Sequence, residues 1–268
     1  MRGNTTVRIG SAHLGDLNAR FRGAPPVDLL RFVHAAFGRR AALLSSMQRA
    51  GAALCFLADR AALDLDVLFV DTGVLHQETL HTRDDLARTH PHLRVRTLSP
   101  EKTFRAQTAE EGLLYLTREG QERCCDLRKT APLHAVKGEY AALVSALRKG
   151  EGGARSAVEP FGLDPEMNAL RVHPFASLTG DELDAMIAAE PGIVVNPLHA
   201  MGFPTIGCFP CTTPVRPDEP ERAGRWRHLA GVAYCGINPI DRGRAGEIDL
   251  EDHHASALGL RADVANTA

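Results

Sequence analysis

No stretch of this 268-residue chain approaches the roughly 20 consecutive apolar residues that a membrane helix needs. Met1 to Ala24 has no apolar core behind a basic start, which argues against a secretory leader. Positive charge is not in excess: 31 Lys and Arg stand against 33 Asp and Glu, a net charge of -2. This argues against a bulk nucleic-acid binder, whose affinity comes from neutralising phosphates, while a small anion needs only a local basic pocket. Aromatic residues make up 5% of the chain with Trp226 the single tryptophan, so there is no stacking platform for single strands. Internal repeats are absent too. The expectation is a cytoplasmic protein whose thiols stay reduced, in which paired cysteines are ligands or catalysts rather than disulfides.

The cysteines carry the signal. Cys124 and Cys125 are adjacent, and Cys208-Phe209-Pro210-Cys211 follows far downstream. Four thiolates in two tight pairs suit zinc or a 4Fe–4S cluster. Successive helical side chains diverge by about 100°, so an adjacent pair on one site points to a turn or a helix end. Cys235 stands alone in Tyr234-Cys235-Gly236-Ile237-Asn238, apart from the pairs, and is the candidate nucleophile. Cys55, on an apolar helix, reads as a small hydrophobe.

The organisation is that of an α/β protein. Pro26 opens a helix with Leu29, Leu30, Phe32 and Val33 on its apolar side and Gly38 near its end. Strands are predicted at 41–44, 66–70, 93–97 and 141–147, with helices at 50–60 and 79–88 between them. Such alternation implies a parallel sheet covered on both faces, with ligands beyond the carboxyl ends of the strands. Ser45, Ser46, Thr72 and Gly73 fall there. Thr179 with Glu182 makes a capping box for a helix to Ala189. From about 191 to 242 the chain is irregular and rich in Pro and Gly, a segment that metal ligation would order. Residues 1–25 read as an N-terminal extension, 26–242 as the main domain, and 243–268 as a loosely held arm.

Cations cluster around these features. Lys129 follows the cysteine pair and would offset thiolate charge. Arg148, Lys149 and Arg155 lie in a Gly-rich loop after a strand, and Arg222 and Arg225 precede Trp226. Guanidinium forks match phosphate and sulfate oxygens. Histidines 76, 134, 173 and 199 have no metal-ligand spacing and read as structural.

Taken together, these residues resemble the assimilatory sulfonucleotide reductases, the adenylyl-sulfate and phosphoadenylyl-sulfate reductase family, over about residues 26–240. The stretches that carry the resemblance are 68–73 with Glu78-Thr79, Cys124 to Lys129, Asn196 to His199, Gly202 to Thr212, Arg222 to Trp226 and Cys235 to Ile237. The resemblance implies a parallel-sheet nucleotide-binding fold related to the ATP-pyrophosphatases. It implies a 4Fe–4S cluster on Cys124, Cys125, Cys208 and Cys211. It also implies that Cys235 attacks the sulfur of the sulfonucleotide, leaving an S-sulfocysteine that thioredoxin or a glutaredoxin resolves to sulfite. Lys129, Arg148, Lys149 and Arg155 would hold the phosphosulfate. Members with both cysteine pairs favour adenylyl sulfate, which makes that the expected substrate for sulfate assimilation and cysteine synthesis. A homo-oligomer is compatible with the sequence.

Three departures stand out. Ser46-Met47-Gln48-Arg49-Ala50-Gly51 replaces the family's serine-phenylalanine-glycine-alanine-acid loop, and Arg49 adds a cation suited to a 3′-phosphate. Ala146-Leu147-Arg148-Lys149 replaces glycine-leucine-Arg-Arg. Tyr234 and Asn238 stand where the family has glutamate and histidine around the catalytic cysteine. Two alternatives follow: a phosphoadenylyl-sulfate reductase of the same mechanism, and a non-catalytic cluster-binding nucleotide sensor. A third, an ATP-dependent adenylating or sulfur-transfer enzyme on the related fold, is opposed by the missing Ser-Gly-Gly-x-Asp-Ser loop.

Overall fold

The computed structural model describes residues 5–229 and 237–260. The chain begins with β1 (Thr6–Ile9), α1 (Gly15–Phe21), α2 (Pro26–Phe37), β2 (Ala41–Leu44), α3 (Arg49–Arg60) and β3 (Leu65–Val70). It continues through α4 (Gln77–Thr89), β4 (Leu93–Leu98), α5 (Phe104–Glu111), α6 (Arg118–Cys125) and α7 (Ala131–His134). Then come β5 (Ala142–Val144), β6 (Phe161–Asp164), β7 (Ala169–Val172), α8 (Gly180–Ala189), β8 (Ile248–Glu251) and α9 (Asp252–Ala257). Among the described residues, no helix is long and apolar enough to cross a membrane.

Local chemistry accounts for the helix limits. α2 starts on Pro26, buries Leu29, Leu30, Val33 and Phe37 at helical spacing, and stops at Gly38, whose φ of 52° favours glycine. At the start of α8, Thr179 Oγ1 accepts from Glu182 N at 3.2 Å while Glu182 Oε2 accepts from Thr179 N at 2.8 Å, a closed capping box.

The main sheet runs β4-β3-β2-β5-β7-β6, parallel throughout except for β6, which pairs antiparallel with β7 at the edge. Helices cover both faces, so β2 and the Val67–Val70 part of β3 read as apolar runs, while Asp66 is buried against Arg94 and Tyr140. Alternate residues serve opposite faces. Leu43, Val67 and Phe69 join the large cluster with α2 and α3, whereas Ala42, Leu68 and Leu143 pack with Leu133, Val136 and Tyr140. Leu43 is fully buried, and truncating it to Ala would cost about 2–5 kcal/mol.

Two parts differ from expectation. β6 and β7 hide a buried ion pair, with Arg171 Nε donating to Asp164 Oδ2 at 2.8 Å, and charged residues masked these strands. The C-terminal arm, as far as residue 260, is not loosely held. β8 pairs antiparallel with β1 from Thr6↔Glu251 to Ile9↔Ile248, and Ile248, Leu250, Ala255 and Leu258 enter the main core with Val7 and Ile9. The N-terminal extension is likewise core, through Leu14, Leu17 and Phe21.

Candidate functional site

The carboxyl ends of β2, β3 and β5 open into a cleft of about 500 Å³, where strand-end amides and hydroxyls meet basic residues from later loops. Ser45, Ser46 and Thr72 line it, as do Arg148, Arg155, Arg222 and Arg225. Gly73 does not line it; its φ of 73° turns the chain, and Arg128 Nη2 lies 2.9 Å from where a Cβ would sit.

The loop after β2 is built from side chains instead of glycines. Met47 takes a left-handed φ of 57° with its side chain fully buried. Ser45 Oγ accepts from Met47 N at 3.2 Å, and a Cβ on Gly51 would come within 2.6 Å of the same oxygen. Gln48 Oε1 accepts from Ile206 N at 2.8 Å, tying the loop to the irregular segment. His199 does the same. Its Nδ1–H donates to Phe203 O at 2.8 Å, so Nε2 is the lone-pair nitrogen and accepts from Arg49 N at 3.2 Å. Burial pushes this imidazole down to about 4, keeping it neutral. The Arg49 side chain lines the cleft but pairs with Asp184 Oδ1 of α8 at 2.6 Å, so the extra cation is largely neutralised.

The Gly-rich loop divides its cations. Arg148, 7% exposed, faces the cleft with its Nε buried and unpartnered. Lys149 does not line the cleft; its Nζ is 2.9 Å from Glu159 Oε1. Arg155 lines the cleft yet is engaged by Asp241, Nε to Oδ1 at 2.8 Å and Nη2 to Oδ2 at 2.6 Å, and by Glu151. Burial opposes the Arg155 charge, but Asp241 and Glu151 outweigh it and raise its pKa. Asp241 also accepts from Asn238 Nδ2 at 3.3 Å, and Ile237 and Asn238 both line the cleft. Cys235 lies outside the described residues.

Beside the cleft, the four paired cysteines line a second, smaller cavity. Cys124 and Cys125 are the last two residues of α6, which runs into a π-helical stretch, Asp126–Thr130. Cys208 caps the short turn Phe209–Cys211, held where Phe209 N donates to Val74 O at 2.8 Å and Trp226 N to Cys211 O at 2.9 Å. Lys129, Arg225 and Trp226 line both cavities and so form a common wall. Arg225 stacks on Trp226 at 4.4 Å, where its guanidinium occupies the space a Cβ on Gly207 would need.

The donor set can be tested against a metal. A single tetrahedral zinc holds sulfurs roughly 3.8 Å apart, given Zn–S bonds of about 2.3 Å. Among the described residues, no three of these cysteine sulfurs lie within 4.8 Å of one another. That spread suits a multinuclear iron–sulfur group better than one ion. Burial pushes the Cys211 thiol up to about 12 and raises Cys124, outweighing the lowering by Lys129 on both, by Arg225 on Cys211 and by Gln107 and Arg128 on Cys124. Trp226 Nε1 is buried with no hydrogen-bond partner, on a residue that lines both cavities.

Sequence reasoning missed the polar contacts to sulfur, two from amides and one from a hydroxyl. Gln121 Nε2 donates to Cys125 Sγ at 3.0 Å, Gln107 Nε2 reaches Cys124 Sγ at 3.9 Å, and Thr72 Oγ1 lies 3.3 Å from Cys208 Sγ. Buried Arg128 orients two of these, donating to Gln107 Oε1 at 2.9 Å and to Thr72 O at 2.5 Å. Only the 3.6-residue period, which puts Gln121 one turn before Cys125, could have hinted at them.

Residues 40–214 match the phosphoadenosine phosphosulfate reductase domain. A Mycolicibacterium smegmatis protein named adenosine 5'-phosphosulfate reductase is 35% identical over 85% of this chain and 92% of its own length. Its namesake in Agrobacterium fabrum is 34% identical over 81% of this chain and 83% of its own. The crystal structure of phosphoadenylyl-sulfate (PAPS) reductase from Candida auris superposes with a TM-score of 0.65 at 17% identity, covering 76% of this chain and 98% of that one. That of Candida glabrata FMN adenylyltransferase does so at 0.50 and 12% identity, over 94% and 99%. These two likenesses concern the fold alone, an α/β arrangement around a mostly parallel sheet.

Proposed function

The chain belongs to the phosphoadenosine phosphosulfate reductase family, and from that premise we propose that it reduces adenylyl sulfate to sulfite and AMP in sulfate assimilation. The observation that carries the reading is the common wall of Lys129 and Arg225 between an anion-suited cleft and the four-cysteine cavity. The relatives named adenosine 5'-phosphosulfate reductase support the same substrate. Pairing of Arg49 with Asp184 weakens the case for the 3′-phosphorylated nucleotide.

In this reading the Cys235 thiolate attacks the sulfonyl sulfur. The S–O bond to the phosphate breaks, AMP leaves with the electron pair, and an S–S bond to the sulfite unit forms. A dithiol reductant, thioredoxin or a glutaredoxin, then attacks Cys235 Sγ and releases sulfite. Its second thiol closes a disulfide, so both electrons come from the dithiol. Arg148, Lys129 and Arg225 stabilise the charge gathering on the departing phosphate. Cys124, Cys125, Cys208 and Cys211 would hold a 4Fe–4S cluster, which when bound would order this wall and tune its field.

Intact-mass measurement on anaerobically prepared protein tests the proposal. Incubation with adenylyl sulfate and no reductant is expected to add one sulfite unit mapping to Cys235, absent in Cys235→Ser, which still binds nucleotide. No gain with adenylyl sulfate or, in a parallel incubation, with phosphoadenylyl sulfate on cluster-loaded protein would refute the reductase reading and leave the nucleotide sensor.

A further inference from the structure

At the opposite end of the chain, a set of side chains that the proposed reaction does not use gathers where β8 meets α9. We propose that Glu251, His253 and His254 form a site for one exchangeable divalent transition-metal ion of the zinc, nickel or copper class. Among the described residues, they are the one group of three whose ligand atoms all lie within 4.8 Å of one another. Zinc–nitrogen and zinc–oxygen bonds of about 2.0–2.2 Å place neighbouring ligand atoms roughly 3.4 Å apart. His253 Nδ1 is already 3.6 Å from Glu251 Oε2, so little closing is required.

Each ligand is prepared in the manner of a metal site. His254 is 4% exposed, and its Nδ1–H donates to Ala36 O of α2 at 2.8 Å. That bond fixes the tautomer and leaves Nε2 as a buried lone pair with no hydrogen-bond partner. Such an orphan costs about 1–3 kcal/mol, which an ion would remove. Glu251 is oriented through its other oxygen, Oε1, which accepts from Arg40 Nη1 at 2.7 Å. His253 is exposed and provides the way in, with its ring 3.9 Å from that of His254. Two imidazoles with one carboxylate select zinc, nickel or copper over magnesium or calcium. The ion would fasten the end of β8 to the first turn of α9, and none of its ligands lines the cleft or the cysteine cavity.

Cobalt(II) separates this site from the thiols, since nitrogen and oxygen ligation gives d–d bands without the sulfur-to-cobalt charge transfer of thiolates. Cluster-loaded wild type, His253→Gln and Glu251→Gln are titrated with cobalt(II), then with zinc(II) against a chromophoric chelator. One equivalent without charge-transfer bands is expected in the wild type, weakened at least about tenfold in each variant. Far-ultraviolet circular dichroism checks that the variants fold. No binding, charge-transfer bands only, or affinity unchanged in either folded variant would overturn the site.

Discussion

A cation's value to an anionic substrate depends on what already holds it, and the Gly-rich loop illustrates the rule. Arg148 and Arg155 look alike in the sequence. In the structure Arg148 faces the cleft with an unpartnered Nε, whereas Arg155 is gripped by Asp241, whose side chain has no exposure. Arg148→Ala is therefore expected to raise the KM for adenylyl sulfate by about tenfold to a hundredfold, the loss of one charge-assisted hydrogen bond, with little change in stability. Arg155→Ala leaves Asp241 buried without its strongest partner and should cost about 3–5 kcal/mol of unfolding free energy. Steady-state kinetics and urea denaturation on both variants separate the roles; an equal KM effect without destabilisation at Arg155 would contradict this division. At this scale the sequence was readable in its residue types. The cysteines sit in strict spacing, but which cation is free is a matter of long-range partners. Asp241 lies 86 residues from Arg155, and Lys149 is drawn to Glu159 instead of the cleft.

Elements decide how the four thiols meet. α6 delivers Cys124 and Cys125 at its last turn, and the widened π-helical stretch behind them swings Arg128 and Lys129 to the same side. The adjacent-pair argument from helix geometry anticipated a helix end, and that is where the pair lies. Gln121, one turn earlier on α6, points its amide at Cys125 Sγ. Hydrogen bonds to cysteine sulfur raise a cluster's reduction potential by stabilising the more negative state. Gln121→Leu is expected to lower the midpoint potential of the cluster-loaded protein, read by redox titration with electron paramagnetic resonance. A potential equal to wild type would mean the amide does not reach the sulfur in the loaded protein. Strands were readable where apolar residues run together, as in β2 and from Val67 to Val70 of β3. They were obscured where β6 and β7 carry Asp164 and Arg171 into the core, since a buried ion pair looks like two surface residues until its partner is known. β8 escaped for a different reason: its four residues alternate, yet the strand they need, β1, begins the chain.

The whole molecule is closed by that pairing, and its stability is tied to histidines that burial keeps neutral. Burial, reinforced by the Arg171 charge, pushes His173 down to about 3, and burial with Arg49 pushes His199 down to about 4. His76, His134 and His254 are shifted the same way, each chiefly by burial. In the unfolded chain a histidine titrates near 6.5. Between about pH 6.5 and 4 the unfolded state therefore binds more protons than the folded one, and stability must fall as pH falls. Each fully shifted histidine contributes a slope of about 1.4 kcal/mol per pH unit. His173 and His199 together should lower the unfolding free energy by about 2–3 kcal/mol between pH 7 and 5.5, a window above the ordinary carboxylate range. Denaturant unfolding at the two pH values measures the drop, and His199→Gln should remove roughly half of what this pair contributes. Gln can still accept from Arg49 N and donate to Phe203 O, so the change in slope reports the titration and not the loss of the two contacts. A stability that holds level across the window would mean these imidazoles reach solvent and protonate without unfolding. That would loosen the link between the loop after β2 and the irregular segment, because His199 can accept from Arg49 N only while its Nε2 is unprotonated.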